Sequence, residues 1–129
     1  MKRSLQLNPN NRPATWEQIK QWRDIHEVAP IETSYGVFDC DERADKRLQE
    51  QLDLFDHLTT LNPDGSLNWK LADNTWQSFN KEALADAYNQ IRVKRAKRAG
   101  VLHAKAAEFE AMGVKPLVKE LQVLNYWLK

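Results

Sequence analysis

The stretch Asn68-Trp69-Lys70-Leu71-Ala72-Asp73-Asn74-Thr75-Trp76 decides our prediction of the fold, because it combines two extended patterns with a turn and leads into a long helical pattern. Trp69 and Leu71 alternate with polar residues, as on a strand with one buried face. Asp73-Asn74 supplies residues that favour a tight turn, and residues 76–79 resume the extended pattern. We therefore predict a short hairpin that leads directly into a helix.

The helical pattern after the hairpin runs from about residue 80 to residue 112. Its apolar residues recur every three or four positions: Leu84, Tyr88, Ile91, Leu102, Ala106, Phe109 and Met112. Arg95 and Arg98 interrupt this stripe, and Gly100 costs about 1 kcal/mol relative to alanine inside a helix. We predict a bend or a change of packing partner near residues 95–100. Gly113 and Pro116 then end the helix.

The remaining elements follow from similar patterns. Helices are predicted at about 15–29, where Thr15 and Gln18 form a capping box, at about 40–57 and at about 116–128. Residues 31–38 alternate as a strand does, and with residues 67–71 and 75–79 they would complete a three-stranded antiparallel sheet. The predicted fold class is α+β, predominantly helical, with one small antiparallel sheet.

A length of 129 residues fits one domain with peripheral segments. Residues 1–14 contain two prolines and predict an extended arm, either a loose terminus or an arm that orders against a partner. Residues 15–112 form the predicted domain, and residues 113–129 a docking helix. Because a helix of about twelve residues is marginal alone, this helix must dock on its own domain or on another subunit. We predict subunit contact through Leu121, Leu124, Trp127 and Leu128.

Five tryptophans are a large number for a chain of 129 residues. Tryptophan is enriched in small cores and at the centres of protein interfaces. We therefore expect packing or partner binding to matter more than chemistry. We assign four of them to the core or to an interface: Trp16, Trp22, Trp69 and Trp76.

The overall charge gives no reason to expect nucleic acid or a membrane surface as partner, since 19 basic and 18 acidic residues leave a net charge of +1. No apolar run approaches the roughly 18 residues that cross a bilayer, and no signal peptide is recognisable, so we expect a soluble protein. The basic run of residues 92–98 spreads around a helix. We interpret it as a solvated face or as intersubunit ion pairs, with contact to an acidic protein or to nucleic acid as alternatives.

We expect no enzymatic activity, no cofactor and no metal. Cys40 is the sole cysteine, and His26, His57 and His103 are scattered without ligand spacing. The acidic residues Asp39, Asp41, Glu42 and Asp45 lack the glycine and the later glutamate of an EF-hand loop, so we assign them to helix capping.

Two motifs carry a resemblance to a known family. Ile31–Arg43 reads IETSYGVFDCDER and Trp69–Thr75 reads WKLADNT, followed by the Leu102–Ala106 helical segment. In this order they resemble an uncharacterised phage-tail domain with a "GvxFDADExS" segment and a "WxxADN" hairpin, found in proteins encoded among the tail and tail-fibre genes of tailed bacteriophages and prophages. The resemblance spans about residues 15–112. The chain differs from that pattern in having Cys40 and Trp76.

The resemblance implies a structural virion protein at the tail tip, baseplate or fibre region, made in the host cytoplasm and bound to other tail proteins. It implies no catalytic residues. A homo-oligomer is expected, with a trimer favoured because tail fibres are commonly trimeric. The first alternative is a tail-fibre assembly chaperone that is not retained in the virion. The second is a nucleic-acid-binding accessory protein that uses residues 92–98.

Overall fold

The computed structural model describes residues 11–129 as a mixed α+β chain that is mainly helical, which confirms the predicted fold class. Most of the predicted N-terminal arm lies outside the described residues. The helices are α1 (Trp16–Glu27), α2 (Glu42–Asp53), α3 (Lys81–Ala111), α4 (Val118–Leu121) and α5 (Leu124–Trp127), with a 3₁₀ turn at Phe55–His57. The strands are β1 (Ile31–Thr33), β2 (Gly36–Phe38), β3 (Leu67–Lys70) and β4 (Trp76–Phe79).

Side-chain caps fix where the first three helices begin. The Thr15 backbone N–H donates to Gln18 Oε1 at 2.9 Å, and the Gln18 N–H donates to Thr15 Oγ1 at 3.2 Å, so the predicted capping box is confirmed. Asp41 and Asn80 each accept a hydrogen bond from the backbone N–H three residues on, at 2.8 and 2.7 Å. These bonds satisfy donors that have no partner within the helix.

The strands form two separate hairpins, so the prediction of one three-stranded sheet was wrong. β1 pairs with β2, and β3 pairs with β4, both antiparallel. Residues 31–38, predicted as a single strand, reverse direction at Ser34-Tyr35, between the paired residues Thr33 and Gly36. Gly36, the first residue of β2, adopts φ +127°, a conformation that glycine tolerates. A backbone hydrogen bond of 2.9 Å from Ala72 N–H to the Val37 carbonyl joins the two hairpins.

The described chain divides into two compact units. The central unit comprises residues 28–97 and contains both hairpins, α2 and the first half of α3. Its core consists of buried residues from all of these elements: Ile31, Phe38, Cys40, Leu48, Phe55, Leu67, Leu71, Phe79, Leu84, Ala87 and Ile91.

The terminal unit comprises described residues 11–27 together with residues 98–129. Its core is also apolar: Ala14, Ile19, Leu102, Ala106, Phe109, Val118, Leu121 and Trp127. Extended residues before α1 pair with the segment before α4, since Ala14 N–H donates to the Pro116 carbonyl at 2.8 Å and Val118 N–H donates to the Arg12 carbonyl at 3.0 Å. These bonds join the first described residues to the segment that leads into α4.

The C-terminal segment is not the single helix predicted over residues 116–128. It forms the one-turn helices α4 and α5, which are separated at Gln122–Val123. In a continuous helix the Leu121 carbonyl would accept the N–H four residues later. Here that carbonyl accepts the Trp127 Nε1–H at 2.9 Å and lies 2.6 Å from His26 Nε2. Tertiary hydrogen bonds therefore replace the helical one.

The long helix changes its packing partner where the sequence indicates. Leu84, Ala87 and Ile91 belong to the core of the central unit, whereas Leu102, Ala106 and Phe109 belong to that of the terminal unit. The division between the units falls at residues 97 and 98, inside the interrupted part of the stripe. The predicted change of partner is confirmed.

Candidate protein-interaction surfaces

The four predicted interface residues differ in how accessible they are. Leu121 and Trp127 are 0% exposed, because they pack inside the terminal unit itself. Leu124 is half-buried against the same core, and Leu128 is 44% exposed. The C-terminal segment thus docks within its own unit. Subunit contact stays a prediction, and within this group Leu124 and Leu128 are the residues with accessible surface.

A shallow open depression of about 310 Å³ lies beside α5. Its lining mixes apolar and charged residues: Lys119, Glu120, Val123, Asn125, Tyr126 and Lys129. Glu120 is already engaged, since its carboxylate accepts the Leu117 N–H at 2.9 Å. Burial, with a smaller contribution from the nearby Glu120 charge, raises the pKa of Tyr126. The depression belongs to the surface of the terminal unit, and its lining includes the exposed residue Val123.

The tryptophans divide into packing residues and one exposed residue. Trp16 and Trp22 pack against the core of the terminal unit, and Trp69 packs against that of the central unit. Trp76 is 67% exposed, so it is not a core residue. The sequence predicts either a core role or an interface role for Trp76. Its exposure excludes the core role, and the interface role stays a prediction.

Trp76 lies on the outward face of the β3–β4 hairpin. In the register of the hairpin, Lys70 pairs with Trp76 and Asn68 pairs with Ser78, so these four side chains share a face. The buried residue Phe79 marks the opposite face. Ser78 Oγ–H donates to Asn68 Oδ1 at 2.8 Å. The outward face is therefore polar and hydrogen-bonded, with one large aromatic side chain.

The turn that precedes Trp76 is fixed by its own hydrogen bonds. Asp73 Oδ1 accepts the Thr75 Oγ1–H at 2.6 Å and the Thr75 N–H at 3.0 Å, and these bonds lower the pKa of Asp73. Asn74 adopts φ 69°, which asparagine tolerates better than most residues. The turn predicted at Asp73-Asn74 is confirmed, and it presents Trp76 on a well-defined backbone.

Three residues of the basic run in α3 contact backbone carbonyls or a carboxylate, each within the compact unit to which the residue belongs. In the central unit, Arg95 Nη2 lies 3.0 Å from Asp45 Oδ1 and its Nη1 donates to the Cys40 carbonyl at 3.2 Å. Lys94 Nζ donates to the Glu32 carbonyl at 2.8 Å. In the terminal unit, Arg98 donates to the Glu27 carbonyl at 3.0 Å. The interpretation as a purely solvated or intersubunit charge run was therefore wrong for Arg95 and Arg98.

The residues considered for metal binding or nucleophilic chemistry have structural contacts. Asp41 caps α2, as predicted, and the buried Cys40 thiol donates to the Ala29 carbonyl at 3.0 Å. His26 is buried beside Trp127, with ring centroids 5.8 Å apart. Over residues 11–129, the structure contains no group of three or more histidine, cysteine or acidic side chains arranged to hold a metal. Within that same range, none of the helices has the length and apolarity needed to span a membrane.

Sequence reasoning missed the contact of His26 and Trp127 with the Leu121 carbonyl, because its partners are 95 and 6 residues away from that carbonyl. It also missed the exposure of Trp76. The exposure of Trp76 depends on the register of the hairpin, because a shift of the strand pairing by one residue moves each side chain to the opposite face of the strand. A turn predicted only from its residue types does not determine the pairing register.

These features define a mixed α+β protein. Its long helix α3 contributes residues to two cores, and its hydrogen-bonded β3–β4 hairpin carries an exposed tryptophan. The chain belongs to the family described as Domain of unknown function (DUF4376), whose model matches residues 10–115. No curated protein and no solved structure matches the chain significantly. The family's description states no function.

Proposed function

We propose that the protein is a structural component of the tail of a tailed bacteriophage, in the tail tip, baseplate or fibre region, and acts by contact with other tail proteins. The observation that carries the proposal is the exposed Trp76 on the hairpin of the WKLADNT motif. That motif also carries the resemblance to the phage-tail domain. The protein would be made in the host cytoplasm and retained in the virion.

An exposed tryptophan on a rigid support fits a protein-binding role. Tryptophan is among the residues that dominate binding energy at protein interfaces, where a few anchors account for most of the affinity. Trp76 is the most exposed of the tryptophans in the described chain, and the Asp73–Thr75 bonds hold the turn before it. A rigid support reduces the entropy lost on binding.

The cationic residues of α3 support a protein partner over nucleic acid. Non-specific nucleic-acid binding depends on cations that are free to neutralise phosphates. Arg95 and Lys94 contact oxygen atoms of the central unit, and Arg98 contacts one in the terminal unit. The net charge of +1 points the same way.

Mass spectrometry of purified virions tests the proposal. We expect the chain in particles of a phage that encodes it, and we expect Trp76→Ala to reduce its incorporation without unfolding it. Val37→Ala is the matched control, since Val37 is 39% exposed on the other hairpin. If the chain is found on fibres in infected cells but is missing from finished particles, it is an assembly chaperone and the structural role is wrong.

A further inference from the structure

The β3–β4 turn determines which backbone groups of β4 face away from the hairpin. Leu71 N–H donates to the Thr75 carbonyl at 2.8 Å, so this pair is hydrogen-bonded. Because hydrogen-bonded and non-hydrogen-bonded pairs alternate along an antiparallel ladder, the backbone of Gln77 faces β3. The N–H and carbonyl groups of Trp76 and Ser78 therefore point outward. Across residues 11–129, no backbone hydrogen bond from outside the hairpin reaches these two residues.

Within residues 11–129, the outer edge of β4 also lacks the features that normally protect a strand edge. Natural edges carry a lysine, a proline, a bulge or a covering segment. β4 reads Trp-Gln-Ser-Phe, without charge or proline, and its register with β3 is unbroken.

The other hairpin provides the contrast. On β1, the Glu32 carbonyl accepts Lys94 Nζ, and on β2 the Val37 carbonyl accepts the Ala72 N–H. β3 carries Lys70. β4 is thus an uncharged edge with exposed residues at three successive positions, 76 to 78.

We infer that β4 pairs with β4 of a second copy of this chain, antiparallel, about a two-fold axis at Gln77. Trp76 would exchange backbone hydrogen bonds with Ser78 of the partner subunit. By symmetry, Ser78 would do the same with Trp76 of the partner subunit. The two hairpins then form one four-stranded sheet, and a sheet of three or more strands is stable where a lone hairpin is marginal.

The side chains of β4 suit this pairing. Trp76 and the partner subunit's Trp76 lie on the same face as diagonal neighbours, about 7–8 Å apart, which aromatic side chains can span. Their contact would cover only the facing side of each indole, which is 67% exposed in the single chain, so the outer side of Trp76 stays accessible to a tail protein. No like charges oppose each other along β4.

The same two-fold axis would place opposite charges from the two copies beside each other at the ends of β4. The antiparallel arrangement brings the turn of one copy, with Asp73, beside the start of α3 in the other copy, where Lys81 lies. Lys81 already pairs with Asp56 at 2.8 Å within its own chain, and the second carboxylate would extend that pair into a network. A second copy therefore fits this edge in backbone pairing, aromatic contact and charge.

Light scattering of the purified full chain is the first test. We expect a mass of twice 15.0 kDa, with dissociation on dilution. A monomer overturns the inference, and so does the trimer that the resemblance favours. The result does not depend on whether the protein enters virions, because it concerns the purified chain alone.

A charge exchange at the two-fold axis is the sharper test. Gln77 of each copy lies opposite the other, so Gln77→Lys or Gln77→Glu alone places like charges together and should weaken dimerisation about fivefold, which is about 1 kcal/mol. An equimolar mixture of the two variants should regain the dimer mass, which a merely misfolded variant would not do. Val93→Lys, at a 44% exposed position on α3, is the control and should remain dimeric. Dimers that persist in both single variants would overturn the inference.

Discussion

The Leu121 carbonyl is a point at which three elements of the terminal unit meet. It accepts the indole N–H of Trp127 in α5, and it lies 2.6 Å from His26 Nε2 in α1. A carbonyl can only accept, so Nε2 of His26 carries the proton. Phe109 of α3 packs edge-on against Trp127, with ring centroids 5.0 Å apart. Trp127, for which the sequence predicts subunit contact, is therefore buried in the core of its own unit.

Burial predicts a ranking for three tryptophan-to-alanine substitutions. Trp127→Ala should cost about 3–5 kcal/mol, because the side chain is fully buried and its removal leaves a cavity. Trp69→Ala should cost less, since Trp69 is half-buried, and Trp76→Ala should stay within about 0.5 kcal/mol in the monomer, as expected at an exposed position. Urea denaturation at a concentration that keeps the chain monomeric measures all three. Equal losses for Trp127→Ala and Trp76→Ala would contradict the assignment of the core.

The Asp73 turn predicts a specific dependence of stability on acid pH. Hydrogen bonds from Thr75 lower the pKa of Asp73 below its ordinary value of 3.8. A carboxylate with a lowered pKa in the folded state stabilises the protein above the unfolded-state pKa, and this stabilisation is lost as the pH falls through the folded-state pKa. Asp73→Asn should therefore reduce the free energy of unfolding at neutral pH and should flatten its decline below pH 3.8.

Thermal unfolding between neutral and acid pH measures the Asp73 effect. Asp53→Asn, at the exposed end of α2, provides the control, because a substitution there leaves the hairpin turn intact. An Asp73→Asn variant whose stability curve runs parallel to that of the wild type at all pH values would show that the turn bonds do not contribute in this way.

At the scale of secondary structure, the sequence predicts an element well when a local side chain sets its boundary. Thr15 and Asp41 cap the helices that they were expected to cap, and Asn80 caps the helix predicted to begin at about residue 80, because each cap bond spans only three residues. The segment 31–38 was predicted wrongly, since its alternation continues through a reversal at Ser34-Tyr35, between β1 and β2. The break at Gln122–Val123 was also missed, because the Leu121 carbonyl contacts the side chains of Trp127, six residues away, and His26, 95 residues away, and neither contact follows from the helical spacing of the sequence.

Two glycines should respond oppositely to alanine substitution. Gly100 lies within α3, and a Cβ there would have no neighbouring atom within 4 Å, so Gly100→Ala should stabilise the protein by about 0.4–1 kcal/mol. Gly36 adopts φ +127°, and a Cβ there would lie 2.8 Å from Leu71 Cδ1. Gly36→Ala should therefore destabilise the protein through backbone strain and this close contact. Urea midpoints measure both effects, and a stabilising Gly36→Ala would contradict the hairpin geometry.

At the scale of the whole molecule, the sequence predicted where α3 changes partner but not which surface is available for binding. Arg95 and Arg98 break the apolar stripe at the position where the core residues change from one unit to the other. The hairpin is different, because Trp69 and Trp76 look equivalent in sequence. Trp69 pairs with Gln77 and Trp76 pairs with Lys70, so the two indoles lie on opposite faces. Only the register, which depends on the whole turn, distinguishes them.

The continuity of α3 predicts that a break at its middle affects both units. Gly100→Pro removes a helical hydrogen bond and introduces a clash with the preceding turn, at a cost of about 3 kcal/mol or more. Since α3 supplies Leu84 and Ile91 to one core and Leu102 and Phe109 to the other, we expect residues of both units to lose protection from hydrogen exchange. Gly100→Ala is the matched control at the same position and should increase protection. If Gly100→Pro reduced protection only in residues 98–129, the central unit would be folding without help from the second half of the helix, and the long helix would not couple the two cores.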